Sequence, residues 1–323
     1  MIRVAILGLG TIGSGVYEIL TFDKETIKKN TGLDIEVTHI FGRRDYTGTP
    51  MEKLATSNYS DIDNADDIDV VVEAIGGTSP AYEYVKSAIL HRRHVVTSNK
   101  ALVAAHGTEL LQLAIENGVH FLFEGAVGGA IPVIRVMTSA MGGDRAMKIS
   151  GILNGTTNYI LTEMREKGVS FEDALKDAQE KGYAERDPSA DIEGWDTCRK
   201  IAILGSIMSG HFVDYSKIPT EGITKITIDD IQAAQEQDCA IKLVGTAEYV
   251  DEELKLSVAP KLVKRGEELY SVDGVFNAVV IEGLNSGKLM YYGSGAGKIP
   301  TASAVVADIC HTVDKIPTGP LWV

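Results

Sequence analysis

The sequence predicts an α/β protein in two parts: a doubly wound parallel sheet, then an α+β domain with a mixed sheet. Three observations lead to this prediction. Over the first 130 residues, short apolar segments alternate with helical patterns, which is typical of a parallel sheet. A glycine-rich turn follows the first of these segments. From about residue 239 the pattern changes to strands that are separated by turns.

Length and charge exclude several classes of protein. The chain has 323 residues, which fits two domains better than one. Its net charge is −14, which argues against partners such as nucleic acid and anionic membrane surfaces, because both need a basic face. No segment approaches the roughly 20 apolar residues that span a bilayer, and the start reads as a strand rather than a signal peptide. Three widely spaced cysteines without a CxxC pair favour the reducing cytoplasm.

The first strand and the turn after it carry the strongest local motif. Residues 3–8 are apolar, the turn reads GLGTIG from Gly8 to Gly13, and apolar residues then recur at helical spacing. In this order GxGxxG predicts a Rossmann-type dinucleotide-binding turn. Gly8 permits a tight turn, Gly10 lets a pyrophosphate approach the backbone, and Gly13 lets the helix pack on the strand. The alternative is a glycine-rich turn that binds no ligand.

The other elements of the first half follow in alternating order. We expect strands at 35–41, 69–74, 95–97 and 120–123, and helices at 81–90 and 101–116. The second strand leads into Arg43 and Arg44, where an acidic residue would hold a ribose 2′-hydroxyl. Since a guanidinium binds a 2′-phosphate bidentately, Arg43 predicts NADP as the favoured cofactor, with NAD possible. The alternative is that both arginines are solvated loop charges.

The second half is expected to fold as the α+β domain. The apolar pattern predicts a strand at 149–153, helices at 158–167 and 171–181, a longer helix after Ile192, and strands at 240–250, 254–260, 275–282 and 288–292. Asp273-Gly274 and Asn285-Ser286-Gly287 provide turn residues between the last strands. A helix at about 301–312 is predicted to return to the nucleotide domain. We therefore expect a largely antiparallel sheet with helices on one face.

Residues 180–200 hold the densest group of reactive side chains. Asp191 stands where the N-cap of the longer helix is expected. Asp196 and Lys200 are four residues apart, so both project from one helix face. The alternative without a functional role is an exposed ion pair that contributes little to the stability of the protein. The crowding of acids beside a lysine that could move a proton or hold an alkoxide favours a site for an ammonium-bearing substrate.

Six segments in the expected order resemble the homoserine dehydrogenase family. They are GLGTIGSGV at 8–16, SNKALVA at 98–104, EGAVGGAIPVI at 124–134, ILNGTTNYIL at 152–161, GYAERDPSADIEGWDTCRK at 182–200 and GSGAGKIPTASAVVADI at 293–309. The resemblance covers nearly the whole chain. It implies an oxidoreductase that interconverts L-homoserine and L-aspartate 4-semialdehyde with NAD(P), on the route to threonine, methionine and isoleucine.

The resemblance implies roles for individual residues. Lys200 matches the catalytic lysine, Asp196 the aspartate beside it, and Lys100 a second lysine near the nicotinamide and the substrate. The substrate-binding positions that it implies are Glu185, Asp191, Thr156 and Lys100. Because a lysine with a pKa near 10.4 is a poor base at neutral pH, oxidation is expected to run better at alkaline pH.

Cofactor and cation positions are implied in the same way. The expected cofactor contacts are Gly8, Gly10, Thr11, Ile12, Gly13, Arg43, Gly76, Ser98, Lys100 and Gly297. A monovalent cation, sodium or potassium, is implied at Glu124, Val127, Gly129 and Ile131. The alternative for that last segment is a glycine-rich hinge between domains.

The resemblance also implies how the chain is organised. A dinucleotide-binding domain would comprise 1–130 and 300–323, and a substrate-binding, catalytic and dimerisation domain 131–299. A homodimer through the sheet of the second domain is expected. Because the sequence stops at Val323, we expect a short form without a C-terminal ACT domain or an aspartate kinase fusion, and hence no threonine inhibition through an ACT domain.

Two other interpretations stay open at this stage. Another amino-acid or semialdehyde dehydrogenase is the nearer of them, but a semialdehyde dehydrogenase needs a nucleophilic cysteine with a partner base. Cys198 has no nearby histidine in sequence. A catalytically inactive cofactor-binding homologue would be expected to have lost one of Lys100, Glu185, Asp196 or Lys200, and all four are present.

Overall fold

The structure is a computed structural model that describes residues 1–323 throughout. The chain divides into two units. Unit 1 comprises Met1–Ala130 and Gly297–Val323, and unit 2 comprises Ile131–Ala296. None of the helices combines the length and the apolar character needed to cross a membrane.

Unit 1 is built on a six-stranded sheet. Its strands are β1 (Ile2–Leu7), β2 (Ile35–Phe41), β3 (Ala55–Thr56), β4 (Val70–Glu73), β5 (His94–Thr97) and β6 (Phe121–Leu122). Its helices are α1 (Thr11–Phe22), α2 (Lys24–Thr31), α3 (Tyr59–Asp63), α4 (Ala81–Leu90), α5 (Lys100–Asn117) and the C-terminal helix (Lys298–His311). The strand order is β3-β2-β1-β4-β5-β6, with every pair parallel. The predicted doubly wound sheet is confirmed.

The two central strands of this sheet explain where a ligand can bind. β1 and β4 are neighbours, and their residues from Val4 to Leu7 and from Val70 to Glu73 are buried. Such continuous burial is typical of parallel strands that are covered on both faces. The strand order reverses at β1 and β4, so their carboxyl ends form the topological switch point where ligands bind in folds of this class.

Unit 2 combines a five-stranded sheet with six helices. Its helices are α6 (Val133–Arg135), α7 (Gly155–Lys167), α8 (Phe171–Glu180), α9 (Ser189–Ile192), α10 (Trp195–Ser209) and α11 (Ile228–Glu236). Its strands are β7 (Ala146–Ile152), β8 (Cys239–Val250), β9 (Glu253–Lys264), β10 (Phe276–Gly283) and β11 (Gly287–Ser294). The strand order is β11-β10-β7-β8-β9. All strand pairs are antiparallel, and the one parallel contact is an isolated bridge between Thr220 and Val258.

Helix α10 lies closely against the sheet of unit 2. A Cβ atom added at Gly245 of β8 would come within 3.1 Å of Thr197 and 3.2 Å of Ile201 on the helix. Ile201 and Leu204 are fully buried, as their helical spacing predicts. This packing fixes the helix that carries Asp196 and Lys200.

The predicted N-cap role of Asp191 is wrong. Asp191 lies inside the short helix α9, and α10 begins only at Trp195. The residue before α10 is Gly194, whose φ of +89° is left-handed and ends one helix before the next begins. The Asp191 carboxylate is therefore not used as a helix cap.

Candidate active site

The glycine turn after β1 has the shape of a phosphate cradle. Gly8 has a φ of +91°, and a Cβ atom there would lie 2.8 Å from the Ala74 carbonyl oxygen. At Gly13 a Cβ atom would overlap the Gly8 carbonyl oxygen, whereas at Gly10 no atom lies within 4 Å of that position. The turn is thus closed on the protein side and open on the side where a pyrophosphate is expected.

The start of α1 is suited to an anion. Gly10 is its N-cap residue and supplies no side-chain hydrogen bond to the helix, which begins with Thr11 and Ile12. Unpaired N–H groups at a helix start bind phosphate. Gly297, with a φ of +114°, is the N-cap residue of the C-terminal helix, which packs against α1. The residues present therefore fit a dinucleotide.

A second turn at the same sheet edge is shaped by a buried carboxylate. Glu73 ends β4 and is fully buried. Its Oε1 accepts hydrogen bonds from the N–H groups of Ile75 (2.8 Å) and Gly76 (3.0 Å), and its Oε2 from the Thr97 hydroxyl (2.6 Å). Sequence reasoning found Gly76 but missed Glu73, although a carboxylate at the end of a buried strand was a usable signal.

The SNK motif lies at the start of α5. Asn99 is the N-cap residue, and its side chain accepts a hydrogen bond from the Leu102 N–H. Its Nδ2 donates to the Gly77 carbonyl oxygen at 2.6 Å, which ties this helix to the turn after β4. Ser98 and Lys100 flank the cap, and Lys100 is the first residue of α5.

The predicted 2′-phosphate clamp lies on an exposed loop after β2. Arg43 and Arg44 are both exposed. Arg44, together with Tyr46 and Glu52, lines a cleft of about 230 Å³ in which Arg43 takes no part. Both arginines are thus candidates for an anionic ligand at this end of the sheet.

The segment implied to hold a cation supplies oxygen atoms. Glu124 is buried in a 3-10 turn, and its N–H donates to the Asp308 carboxylate at 2.8 Å. Val127 is buried, and Gly129 has a φ of +58°. Ile131 belongs to unit 2, and its carbonyl accepts a backbone N–H. Carboxylate and carbonyl oxygens suit a hard cation, whereas no cluster of three or more His, Cys, Asp or Glu side chains is arranged to hold a metal.

Lys200 and Asp196 form a buried ion pair in unit 2. Their Nζ and Oδ2 atoms are 2.7 Å apart, and the side chains are only 8% and 3% exposed. Lys200 Nζ also donates to the Leu153 carbonyl oxygen at 2.7 Å. The interpretation as an exposed surface pair is therefore wrong. A buried pair of this kind holds its charges in fixed positions at a desolvation cost that surface pairs avoid.

Two further predicted residues join this pair through Asn154. The Asn154 Nδ2 donates to Asp191 Oδ1 (2.8 Å) and to Asp196 Oδ2 (2.9 Å). The Thr156 hydroxyl lies 2.7 Å from the Tyr183 carbonyl oxygen and 3.2 Å from Asp191 Oδ2. The structure thus brings Asp191, Asp196, Lys200 and Thr156 together. We call these four residues and Asn154 the acid–lysine cluster.

Two predicted residues lie outside this cluster. Glu185 is exposed in the loop between α8 and α9, and its backbone carbonyl accepts a hydrogen bond from Gln179. Lys100 belongs to unit 1. Asn154, by contrast, is central to the cluster but was not among the residues predicted from the sequence.

Cys198 has the environment of an inert thiol. It is fully buried in α10, and its Sγ lies 3.3 Å from the Tyr215 carbonyl oxygen. Burial raises the pKa of the Cys198 thiol above its usual range, which opposes formation of the thiolate. A mechanism with a nucleophilic cysteine, as a semialdehyde dehydrogenase requires, is not supported at this position.

Family models match both halves of the chain. The model for homoserine dehydrogenase matches residues 132–310, and the model for the homoserine dehydrogenase NAD-binding domain matches residues 8–124. The chain belongs to the homoserine dehydrogenase family. Family membership makes it an oxidoreductase with a nicotinamide-binding domain, and it confirms the main interpretation of the sequence over the two alternatives.

Individual homoserine dehydrogenases are similar over nearly the whole chain. The enzyme of Pseudomonas aeruginosa is 43% identical, over 99% of this chain and 74% of its own length. The crystal structure from Thiobacillus denitrificans has a TM-score of 0.92 at 41% identity, covering 98% of this chain and 76% of that one. A hyperthermophilic archaeal homoserine dehydrogenase in complex with NADPH has a TM-score of 0.81 at 28% identity, covering 98% of both chains.

Proposed function

We propose that this chain interconverts L-homoserine and L-aspartate 4-semialdehyde by hydride transfer with NAD(P), and that Lys200 handles the proton of the hydroxyl group. The observation that carries the proposal is the buried pair of Lys200 and Asp196, with Asp191 and Thr156 beside it. A lysine that is fixed by a carboxylate and a backbone carbonyl is suited to general acid–base catalysis.

The proposed reaction uses Lys200 in both directions. In oxidation, the hydroxyl proton of homoserine passes to the neutral amine of Lys200, directly or through water, while the C4–H bond breaks with both electrons. Bound NAD(P) supplies the acceptor for that hydride. In reduction, the aldehyde carbon gains the hydride that the bound reduced cofactor would supply, while the Lys200 ammonium gives its proton to the aldehyde oxygen. Asp196 and the Leu153 carbonyl hold Nζ in place for both steps.

The remaining predicted residues are proposed to bind the substrate. Asp191 and Glu185 carry the negative charge that an amino group requires, and Thr156 offers a hydroxyl beside Asp191. Lys100 is proposed to stabilise negative charge on the reacting oxygen. The match to the family supports all four roles, and the acid–lysine cluster adds structural support for those of Asp191 and Thr156.

NADP is the proposed cofactor of choice. Arg43→Ala should raise the KM for NADPH by roughly 10- to 100-fold, because one charge-assisted contact to a 2′-phosphate contributes about 1.5–3 kcal/mol. The KM for NADH, which has no 2′-phosphate, should change little. Arg44→Ala removes the neighbouring charge, which lines the cleft formed by this loop, and a larger effect on NADPH than that of Arg43→Ala would move the assignment to Arg44. Equal effects of Arg43→Ala on both cofactors would contradict the assignment.

A cation, a dimer and a compartment complete the proposal. Sodium or potassium would be held by Glu124 and by carbonyl oxygens of Val127, Gly129 and Ile131.

A homodimer through the sheet of unit 2 is supported by exposed apolar side chains on β10 and β11, where the rings of Phe276 and Tyr292 stack with centroids 5.1 Å apart. No disulfide joins the three cysteines, as is usual for proteins of the reducing cytoplasm.

The direct test is homoserine-dependent reduction of NADP. The reaction is followed by the absorbance of NADPH at alkaline pH, with sodium or potassium present. We expect steady formation of NADPH that depends on L-homoserine, and none with L-serine, which lacks one methylene group. A flat trace with homoserine would leave the chain with the fold of the family but without the proposed activity.

A further inference from the structure

Asn154 occupies a position with two separate tasks. It follows β7 and is the N-cap residue of α7, and it is only 6% exposed. Its Oδ1 accepts hydrogen bonds from the Thr157 N–H (2.8 Å) and the Thr157 hydroxyl (3.0 Å). Because the helix start needs an acceptor there, the amide can be oriented in one way only, with Oδ1 toward α7.

This orientation directs the amide nitrogen at the acid–lysine cluster. The two N–H groups of Nδ2 reach two carboxylates on separate helices, Asp191 of α9 at 2.8 Å and Asp196 of α10 at 2.9 Å. The Asp196 oxygen that accepts from Asn154 also accepts from Lys200. One side chain therefore connects the start of α7 with both acids and, through Asp196, with the lysine.

We infer that Asn154 is a positioning residue for proton transfer. By donating to both carboxylates, it holds the Asp196–Lys200 pair and Asp191 in fixed positions relative to each other. The inference rests on the proposed function. Two carboxylates that share one site repel each other, and a hydrogen-bond donor directed at each of them offsets that repulsion. Both negative charges are what an amino-acid substrate with an ammonium group needs.

The chemistry of the position selects asparagine among the usual N-cap residues. A serine or threonine hydroxyl can accept from the helix but carries one donor, and an aspartate carboxylate accepts only. Asparagine alone among them combines the acceptor with two donors. Substitutions can therefore separate the cap from the donors.

Asn154→Asp keeps the shape and the helix cap but replaces the two donors by a third carboxylate. We expect kcat for homoserine oxidation to fall about 10- to 100-fold, while the KM for NADP changes little. The unfolding temperature should also fall, because the third carboxylate repels Asp191 and Asp196, so kcat is compared at a temperature where both proteins are fully folded. An added negative charge beside Lys200 favours the ammonium form, so the rise of kcat with pH should move to higher pH.

Asn154→Ser provides the variant without added charge. It retains a cap acceptor and loses the paired donors, so kcat should fall while the pH profile stays in place. Asn154→Ala also loses the cap and should lower the unfolding temperature by roughly 2–4 °C. Asn58→Asp is the matched control: Asn58 caps α3 in unit 1 and donates to Asp61 at 3.2 Å. Its kinetics should equal those of the unmodified chain.

The outcomes separate the inference from the proposed function. If the unmodified chain reduces NADP with homoserine, and Asn154→Asp and Asn154→Ser both keep kcat within twofold, the positioning role is refuted while the function stands. A loss of kcat that occurs only with a matching loss of folded protein in both variants refutes it as well. If the unmodified chain shows no homoserine-dependent rate, the proposed function fails, and the inference fails with it.

Discussion

Lys200→Ala is expected to lower kcat for homoserine oxidation by roughly 10²- to 10⁴-fold, the range that general acid–base groups contribute. The loss should appear in kcat rather than in cofactor binding, because the role proposed for Lys200 is transfer of the hydroxyl proton and not contact with the dinucleotide. Cofactor affinity, measured by the quenching of protein fluorescence, should stay nearly unchanged. Near-normal turnover in this variant would refute the proposed role of the lysine.

Stability has to be controlled in this experiment. Removing Lys200 leaves the Asp196 carboxylate buried without its cation, which costs about 3–5 kcal/mol in comparable sites. The double variant Lys200→Ala with Asp196→Asn removes both charges and should recover much of the lost unfolding temperature. Its turnover should remain as low as that of the single variant. Recovery of turnover together with stability would show that Lys200 affects turnover only by stabilising the folded protein.

Substitutions in the glycine turn after β1 are expected to have the second large effect, on cofactor affinity and on stability. Gly13→Ala places a methyl group on the Gly8 carbonyl oxygen, and overpacking of this kind costs about 1–3 kcal/mol. Gly10→Ala meets no atom within 4 Å, so the free protein should keep its unfolding temperature. Its cofactor affinity should nevertheless fall at least roughly tenfold, because the methyl group occupies the space of the pyrophosphate.

Thermal unfolding with and without NADP distinguishes these two variants. Gly13→Ala should unfold at a lower temperature in both conditions. Gly10→Ala should match the unmodified chain without cofactor and lose most of the stabilisation that the cofactor adds. If Gly10→Ala gains as much stability from NADP as the unmodified chain does, this turn is not the phosphate site.

Local sequence patterns predicted most of the elements. The strand Ile35–Phe41 and the helix Ala81–Leu90 have the predicted bounds, because apolar spacing and a flanking proline or glycine determine them locally. The short strand β3 was not predicted, since two residues carry no periodic signal. Helix α11 was missed although Thr227 and Asp230 form a capping box, which was a readable signal.

Long-range contacts account for what the sequence could not show in the site. Local rules predicted Asp191 as a helix cap, but α10 begins only after Gly194. Gly194 packs against Thr220, a residue far along the chain, since a Cβ atom at Gly194 would lie 3.2 Å from it. The partners of Asn154 are 37 and 42 residues away. Neither the burial of Lys200 nor the link through Asn154 has a local signature, because both arise when β7, α9 and α10 pack together.

A crystal structure with NADP and L-homoserine bound would show which side chain contacts the reacting hydroxyl group. We expect the substrate hydroxyl oxygen to lie about 2.6–3.2 Å from Lys200 Nζ, or to be joined to it through one water molecule. We also expect the Asn154 amide to donate to Asp191 and Asp196 in that complex. A substrate hydroxyl that lies beyond the reach of Lys200 and one water, with another titratable group in contact with it, would rule out Lys200 as the group that transfers the proton.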